Sequence, residues 1–464
     1  MISPSVYQSP GIERRVCVCS FQCCVDRGPS RLQLGTGCRL LHMHPAARQA
    51  VSLEQLMKHL FFTAATTLSI LSVSFLMPSI FRRDSEKILS DVGSEIRLVA
   101  CSATSARTSS LRNAELVSNI VNGLPQDVHV LLLVTDRSVF STSASNRRVT
   151  FVEMPSESDI SIWPQDPFVV VQGHGTTKLV TPCSFNREDD ERMPNALAGL
   201  LNLEVVHSEM HFEGGNIVCG EESVFIGFDT IERNSVLLEL TTEGVKNRFA
   251  KLFGRRVVVV GEFSQSVGHI DLIVTPLSES RVAVADSRLG ARLAVAAIGE
   301  EPIKVQEFER QCELTFFGNA EVSELADRDG NKISRPKVIG QTNSAIAASL
   351  RLAPELDTIA RQLSHAGFKV VRVPALVPCQ EHHVDGQGGD VSQYPFLSYS
   401  NVLTELRQNE QFVYLPQYGF EKLDAAAQRV WQDLGFHVKP VAGFTTSAMY
   451  GGGLRCCTKV LLRE

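Results

Sequence analysis

Near the C-terminal end a cysteine stands in the run Gly451-Gly452-Gly453-Leu454-Arg455-Cys456-Cys457-Thr458. A glycine run can present a thiol to a pocket, and the thiolate is a strong nucleophile once a cation or imidazole draws its proton away. Four other segments carry partners for such a thiol. Trp163-Pro-Gln-Asp166-Pro-Phe168 holds a carboxylate between two prolines and beside an indole. His211-Phe-Glu213-Gly-Gly-Asn216 places a carboxylate before two glycines, which let another chain or a ligand approach the backbone closely. Gly268-His269-Ile-Asp271 heads the apolar stretch Leu272–Pro276, whose alternation predicts a strand with His269 and Asp271 on one face, a base beside a carboxylate. Tyr399-Ser-Asn401 adds an amide, with Leu415-Pro-Gln417 following.

A rigid, half-buried Asp166 suits a guanidinium, which wants a planar bidentate acceptor. Each segment also has a plain structural reading: an Asp in a proline turn, a Glu before a glycine turn, a satisfied core histidine, an inert buried thiol. At this level Cys456 and Cys457 compete for one role. His383-Val-Asp385 is set apart because it lies in the glycine-rich loop Gly386-Gln-Gly-Gly389 and reads as a lid. His207 and His211 do not make a zinc protease motif, since Ser208 stands where the glutamate is required.

Helical stretches alternating with short β-branched runs must position these residues. The order helix then strand occurs five times: residues 110–124 before 128–134, 191–202 before 203–206, 243–253 before 256–260, 354–366 before 368–373, and 422–434 before 436–439. A polar motif follows each pair. After four of the motifs a strand, turn, strand pattern follows, at 167–182, 216–227, 271–286 and 400–416. Motif residues 166, 213, 269, 401 and 456 lie at steps of roughly 50 residues apart from one long step, which holds a charged, less regular insertion at 301–336. A supersecondary unit repeated at that period predicts an α/β ring of propeller type with its motifs converging on the axis. A generic doubly wound sheet is the alternative, and the recurring hairpins speak against it.

The 464-residue chain, 44% hydrophobic and 21% charged, has the composition of a globular protein with a full core. A net charge of -6 without a basic block excludes nucleic-acid binding by electrostatics, and a small cationic substrate fits it better. Five of the 12 cysteines, Cys17, Cys19, Cys23, Cys24 and Cys38, fall in the first 40 residues, and no second cluster completes a zinc site. Lys58 followed by the uncharged run Leu60–Met77 has the pattern of a secretory signal or short anchor. Residues 1–56 then read as an extension outside the translated protein, 57–80 as the signal or anchor, and 94–464 as the catalytic domain. Export, or membrane association through 60–77, follows if that segment is functional, and a cytoplasmic location if it is not.

Taken together these motifs resemble those of the guanidine-modifying, or pentein, superfamily of agmatine, arginine and peptidylarginine deiminases, dimethylarginine hydrolases and amidinotransferases. The resemblance covers residues 94–464. It implies a five-bladed pseudo-symmetric α/β propeller with the site on its axis. In this family Ser or Thr follows the nucleophile at two residues, and Cys456-Cys457-Thr458 fits while Cys457-Thr458-Lys459 does not, so Cys456 is the implied nucleophile. Gln165 before Asp166 is similar to peptidylarginine deiminases, Glu213-Gly-Gly to agmatine and arginine deiminases, Tyr399-Ser-Asn401 with Pro416-Gln417 to agmatine deiminases, and Gly-Gly-Leu-Arg-Cys to the arginine deiminase ending. The implied catalytic set is Cys456, His269, Glu213, Asp166 and Asp271. The implied substrate contacts are Trp163, Asp166, Asp271, Arg455 and Asn401, with a small guanidine or an arginine side chain as partner and neither metal nor organic cofactor. Hydrolysis to a ureido product and ammonia is the expected reaction. Amidino transfer to an amine and catalytically inactive guanidine binding are the alternatives.

Overall fold

The structure is a computed structural model that describes residues 86–103, 113–139, 148–173, 175–317, 325–326, 332–333, 338–378 and 394–464. The chain enters as a short strand β1 (Lys87–Ile88) and a long strand β2 (Ile96–Ala103), continuing through helix α1 (Asn113–Gly123) to β3 (His129–Val134) and β4 (Val149–Glu153). β2, β3 and β4 run parallel. Next comes the antiparallel hairpin β5 (Val169–Gly173) and β6 (Thr176–Thr181), then helix α2 (Met193–Leu201) and β7 (Glu204–His207), which returns parallel to β6. β1 pairs with the free edge of β5.

This plan recurs. The hairpin β8 (Ile217–Cys219) and β9 (Ser223–Gly227) leads through α3 (Phe228–Leu237) and α4 (Thr242–Phe253) to β10 (Arg256–Val260), parallel to β9. The hairpin β11 (Val274–Pro276) and β12 (Arg281–Asp286) is followed by α5 (Ser287–Glu300), α6 (Pro302–Phe317), a ribbon of β13 (Leu325–Ala326) and β14 (Lys332–Ile333), and the long α7 (Thr342–His365). β15 (Lys369–Leu376) then lies parallel to β12, with β16 (Leu397–Ser398) on its other edge. The last full unit is the hairpin β17 (Leu403–Arg407) and β18 (Glu410–Pro416), helix α8 (Glu421–Asp433) and β19 (His437–Val441), parallel to β18. After a short helix α9 (Thr445–Met449), β20 (Lys459–Arg463) pairs antiparallel with β2. The last strand of the chain and its first long strand thus share one sheet.

All five expected helix and strand pairs form, and all four expected hairpins are antiparallel. Where a helix must turn sharply into its strand, Gly254 and Gly435 take left-handed φ of 61° and 91°, which a side chain would resist. Strand pairing gives a mixed α/β fold of five open sheets besides the ribbon; among the described residues it defines no closed barrel or propeller. Apolar faces of helices and sheets meet in four buried clusters, and the fully buried Trp431 of α8 closes one of them edge-on against Phe436.

Three boundaries differ from expectation. α7 begins at Thr342 and passes through Pro354, which the sequence reads as a helix start because proline favours the first turn. The buried stripe Ala345, Ile346, Ser349, Leu352, Ala353 and Leu356 outweighs the proline's cost. The insertion at 301–336, expected to be irregular, opens with the regular helix α6. The folded unit also starts before residue 94, since β1 and Asp91 are built into it. The segments 1–56 and 57–80 lie outside the described residues, as does the glycine-rich loop with His383 and Asp385. No helix among the described residues is long and apolar enough to cross a membrane.

α5 lies so close to β15 that a Cβ on Gly290 would overlap the Ala375 carbonyl oxygen. Gly290→Ala is therefore expected to destabilise the protein by about 2–3 kcal/mol, as overpacking does, in urea unfolding followed by circular dichroism.

Candidate active site

The polar motifs all fall in turns, four of them before a hairpin and the fifth, at Cys456, before β20, and hydrogen bonds join each turn to the next. Gly214 N donates to the Asp166 carbonyl at 2.8 Å and Gly215 N to Asp166 Oδ1 at 3.1 Å. Asn216 Oδ1 accepts the Ile270 N–H at 3.2 Å. Ser398 Oγ donates to the Leu272 carbonyl and Asn401 Nδ2 to the Asp271 carbonyl at 3.1 Å. Asn401 Oδ1 accepts the Cys456 N–H at 3.1 Å, and Lys459 Nζ returns to the carbonyls of Gln165 and Phe168. Five stretches scattered over nearly 300 residues thus close into one hydrogen-bonded circuit.

Local geometry differs from the strand reading. His269 and Glu213 are both extended residues that cap short 3-10 turns, Ile270–Leu272 and Gly214–Asn216, and the strands begin only after those turns. Alternation along a strand therefore does not bring His269 and Asp271 together; the tight turn aims them apart. His269 meets Glu213 and Asp166, while Asp271 turns toward Cys456. The paired glycines of the Glu213 motif have a steric reason. A Cβ on Gly215 would strike His269 Nδ1 and Asp166 Oδ1, and one on Gly214 would strike the Gln165 carbonyl.

His269 Nε2 lies 2.6 Å from Glu213 Oε2, and Nδ1 lies 3.7 Å from Asp166 Oδ1. Burial works against an imidazolium here, but Asp166, the Glu213 hydrogen bond and Asp271 outweigh it and raise the His269 pKa to about 9. Glu213 is held below the ordinary carboxylate range chiefly by its hydrogen bond to His269. Cys456 Sγ sits 3.6 Å and 3.8 Å from the two oxygens of Asp271 and accepts a hydrogen bond from Asn401 Nδ2 at 3.2 Å. Burial, then Asp271 and Asp166, push this thiol well above its usual value. Without a cation beside it, Cys456 is a thiol. Its neighbour Cys457 is equally buried, and burial raises its pKa too, but it packs into the largest apolar cluster.

Two arginines complete the site. Arg187 Nη2 donates to Asp166 Oδ2 at 2.7 Å, its Nε to Asp190 Oδ2 at 2.6 Å, and its guanidinium lies over the Phe185 ring. Arg455, expected as a substrate contact, is instead fully committed within the protein. Its guanidinium reaches both oxygens of Asp91, Asp271 Oδ2 at 3.0 Å and the carbonyls of Ile217 and Gly214. Burial raises the Asp271 pKa against the pull of Arg455 and His269. Asn401 serves as a clamp between Asp271 and Cys456, and Trp163 covers Gly452, where a Cβ would enter its ring.

Asp166, Glu213 and His269 also offer donor atoms within 4.8 Å of one another, close enough for a metal ion. The set fits a cation poorly, because Arg187 and a protonated His269 already supply positive charge to the same carboxylates. Asp91, Arg187 and Lys459 escaped the sequence reading. Asp91 precedes the repeat, Arg187 sits in the charged run Arg187-Glu-Asp-Asp-Glu-Arg192 with the composition of a solvated surface, and Lys459 follows the cysteine motif without a distinguishing pattern.

A thiol, an imidazolium and three carboxylates on one hydrogen-bonded circuit of turns define a cysteine-centred site in a mixed α/β fold. No family model and no curated protein matches the sequence. Solved structures do resemble the fold. The C. jejuni agmatine deiminase matches with a TM-score of 0.50 at 14% identity over 83% of this chain and 99% of its own. A variant of that enzyme with substrate bound matches with a TM-score of 0.53 at 13% identity, covering 82% and 98%. Agmatine deiminase of Enterococcus faecalis matches with a TM-score of 0.50 at 14% identity, covering 82% and 96%. The chain adopts the fold of these agmatine deiminases, so the resemblance seen in its motifs extends to its backbone.

His269 binds its proton more tightly folded than unfolded, so this contribution to stability is complete below the unfolded pKa near 6.5 and is lost as pH rises through about 9. Against His269→Asn, the native protein is expected to hold an advantage of about 2 kcal/mol near pH 6 that disappears by about pH 10, read by urea unfolding across pH.

Proposed function

We propose that the chain is a deiminase that hydrolyses a guanidinium group to a ureido product and ammonia through a covalent adduct on Cys456. The observation that carries this reading is the placing of a buried thiol 3.6 Å from Asp271, on the same circuit of turns as an imidazolium held between Glu213 and Asp166. In this reading the five sheets stand as five blades around the circuit, and the guanidinium lies among Asp166, Asp271 and Cys456. The substrate cation offsets the carboxylates that keep Cys456 protonated, so the thiol loses its proton to solvent and thiolate forms when substrate enters. The thiolate attacks the central carbon, and the carbon to nitrogen double-bond character collapses onto the nitrogens. His269, already protonated, gives its proton to one nitrogen, and ammonia leaves with the bonding pair, giving a cationic amidino-thioether adduct. The neutral imidazole then takes a proton from water, the hydroxide adds to the same carbon, the carbon to sulfur bond breaks with its electron pair returning to sulfur as thiolate, and the hydroxyl proton passes to solvent to release the neutral urea group.

The titration of His269 fits the acid's role. A group with a pKa near 9 is ready to protonate a leaving amine at neutral pH, and Glu213 holds the ring in place. We propose further that 57–80 directs export or anchors the chain. Intact-mass and N-terminal peptide analysis of the protein from its source decides this, and peptides spanning 1–80 in the mature protein would refute a cleaved signal.

Cys456→Ala is expected to lower ammonia release from guanidine substrates by at least about 10⁴-fold with the fold retained, while Cys457→Ala keeps activity within about tenfold. Retained turnover in Cys456→Ala would refute the scheme. A new guanidine in place of a ureido product, identified by mass spectrometry with amines present, would show transfer instead of hydrolysis. Chelator treatment is expected to leave the rate unchanged.

A further inference from the structure

Solvent reaches the site from the side of His269 and Glu213. Their side chains keep 22% and 23% of their exposure, while Asp166 keeps 4% and Asp271 none. A substrate with its reacting carbon at Cys456 therefore extends its remainder past that imidazole and carboxylate. There a cavity of about 160 Å³ opens, lined by His211, Glu213, Asp229, Arg233 and His269 among others. α3 carries Asp229 and Arg233 four residues apart, so both project from one face of the helix.

The charges in this cavity differ in how far they are committed. Arg187 and Arg455 spend their guanidinium groups on carboxylates, but Arg233 makes no hydrogen bond or ion pair with any described residue, although it faces the cavity. Both Asp229 oxygens accept the single Gln265 N–H, at 3.1 Å and 3.2 Å. A carboxylate has about four acceptor positions, so capacity for a further donor remains. His211 is buried, and burial together with the charge of Arg233 holds its pKa below the ordinary histidine value, so it adds no competing cation at neutral pH. One free cation and one partly used carboxylate, at the mouth of a guanidine site, match a zwitterion better than a single charge.

We infer that this cavity reads the α-amino-acid head of the substrate, with the carboxylate at Arg233 and the ammonium at Asp229. The preferred substrate is then free arginine or an arginine substituted on its guanidine, ahead of agmatine, whose tail ends in an ammonium without a carboxylate, and ahead of arginine within a peptide. This assignment rests on the hydrolase reading for the position of the guanidinium.

Two measurements test it separately from that reading. Calorimetric binding to the Cys456→Ala protein is expected to show arginine bound at least about tenfold more tightly than agmatine, as one charge-assisted pair gives. Adding Arg233→Gln is expected to reduce the ratio of arginine to agmatine affinity by about tenfold or more. In the otherwise native enzyme Arg233→Gln raises KM for arginine more than it lowers kcat. Agmatine bound as tightly as arginine, an Arg233→Gln effect equal on both, or binding of neither would overturn the assignment. If arginine binds in an Arg233-dependent way and the native protein releases no ammonia, the hydrolase reading fails and the head-group assignment stands. If agmatine is turned over faster than arginine, the assignment fails and the hydrolase reading stands. Because Arg233 is exposed, loss of fold is not expected, and circular dichroism checks this.

Discussion

One buried guanidinium holds the cysteine-centred site together. Arg455 precedes Cys456 and donates at once to Asp91, to Asp271 and to the carbonyls of Gly214 and Ile217. It thereby ties the entry segment of the chain, the turn of Glu213, the turn of Asp271 and its own turn to a single rigid fork. Removing one partner of a buried, hydrogen-bonded charge typically costs about 3–5 kcal/mol, so this arrangement tolerates little change. The fork also fixes Asp271, which sets the field at Cys456.

That field explains the resting state of the site. Carboxylates outnumber free cations around the thiol, and burial removes the water that would screen them. A thiol surrounded in this way stays protonated, and a protonated thiol is a poor nucleophile. The same carboxylates raise the His269 pKa, so one electrostatic arrangement favours the protonated form of both the imidazole and the thiol. Arg187 orients Asp166 from the outside, with Asp190 and Phe185 holding the arginine itself in place.

Much of the fold was legible in the sequence because it is written in local terms. Apolar periodicity and β-branched runs mark the five repeated strands and four of the five repeated helices within a few residues, while α3, α5 and α6 were not read. Pro354 misled because a buried stripe over several turns outweighs one proline. The strand reading of His269 and Asp271 failed because a single 3-10 turn resets the direction of both side chains, and no periodicity over three residues can reveal such a turn. Arg187 and Asp91 were invisible because their type and setting are those of ordinary surface residues; only the partner, far away in the chain, distinguishes them.

By itself the sequence determined the inventory: a thiol on glycines, a histidine, three carboxylates, an amide, and a repeated unit able to carry each at a turn. Between Cys456 and Cys457 the residues alone left the choice open, and the threonine two residues on favours Cys456 only through the family resemblance. Tertiary structure decided what each group meets. Arg455 became a strut joining four segments, Asn401 a clamp on the thiol, and Arg233 a cation without a partner among the described residues. The physical reason is that a side chain's role depends on which charges and hydrogen-bond partners surround it and on how much water remains. Those are set by contacts between residues distant in the chain, 364 positions for Asp91 and Arg455, which no local pattern records.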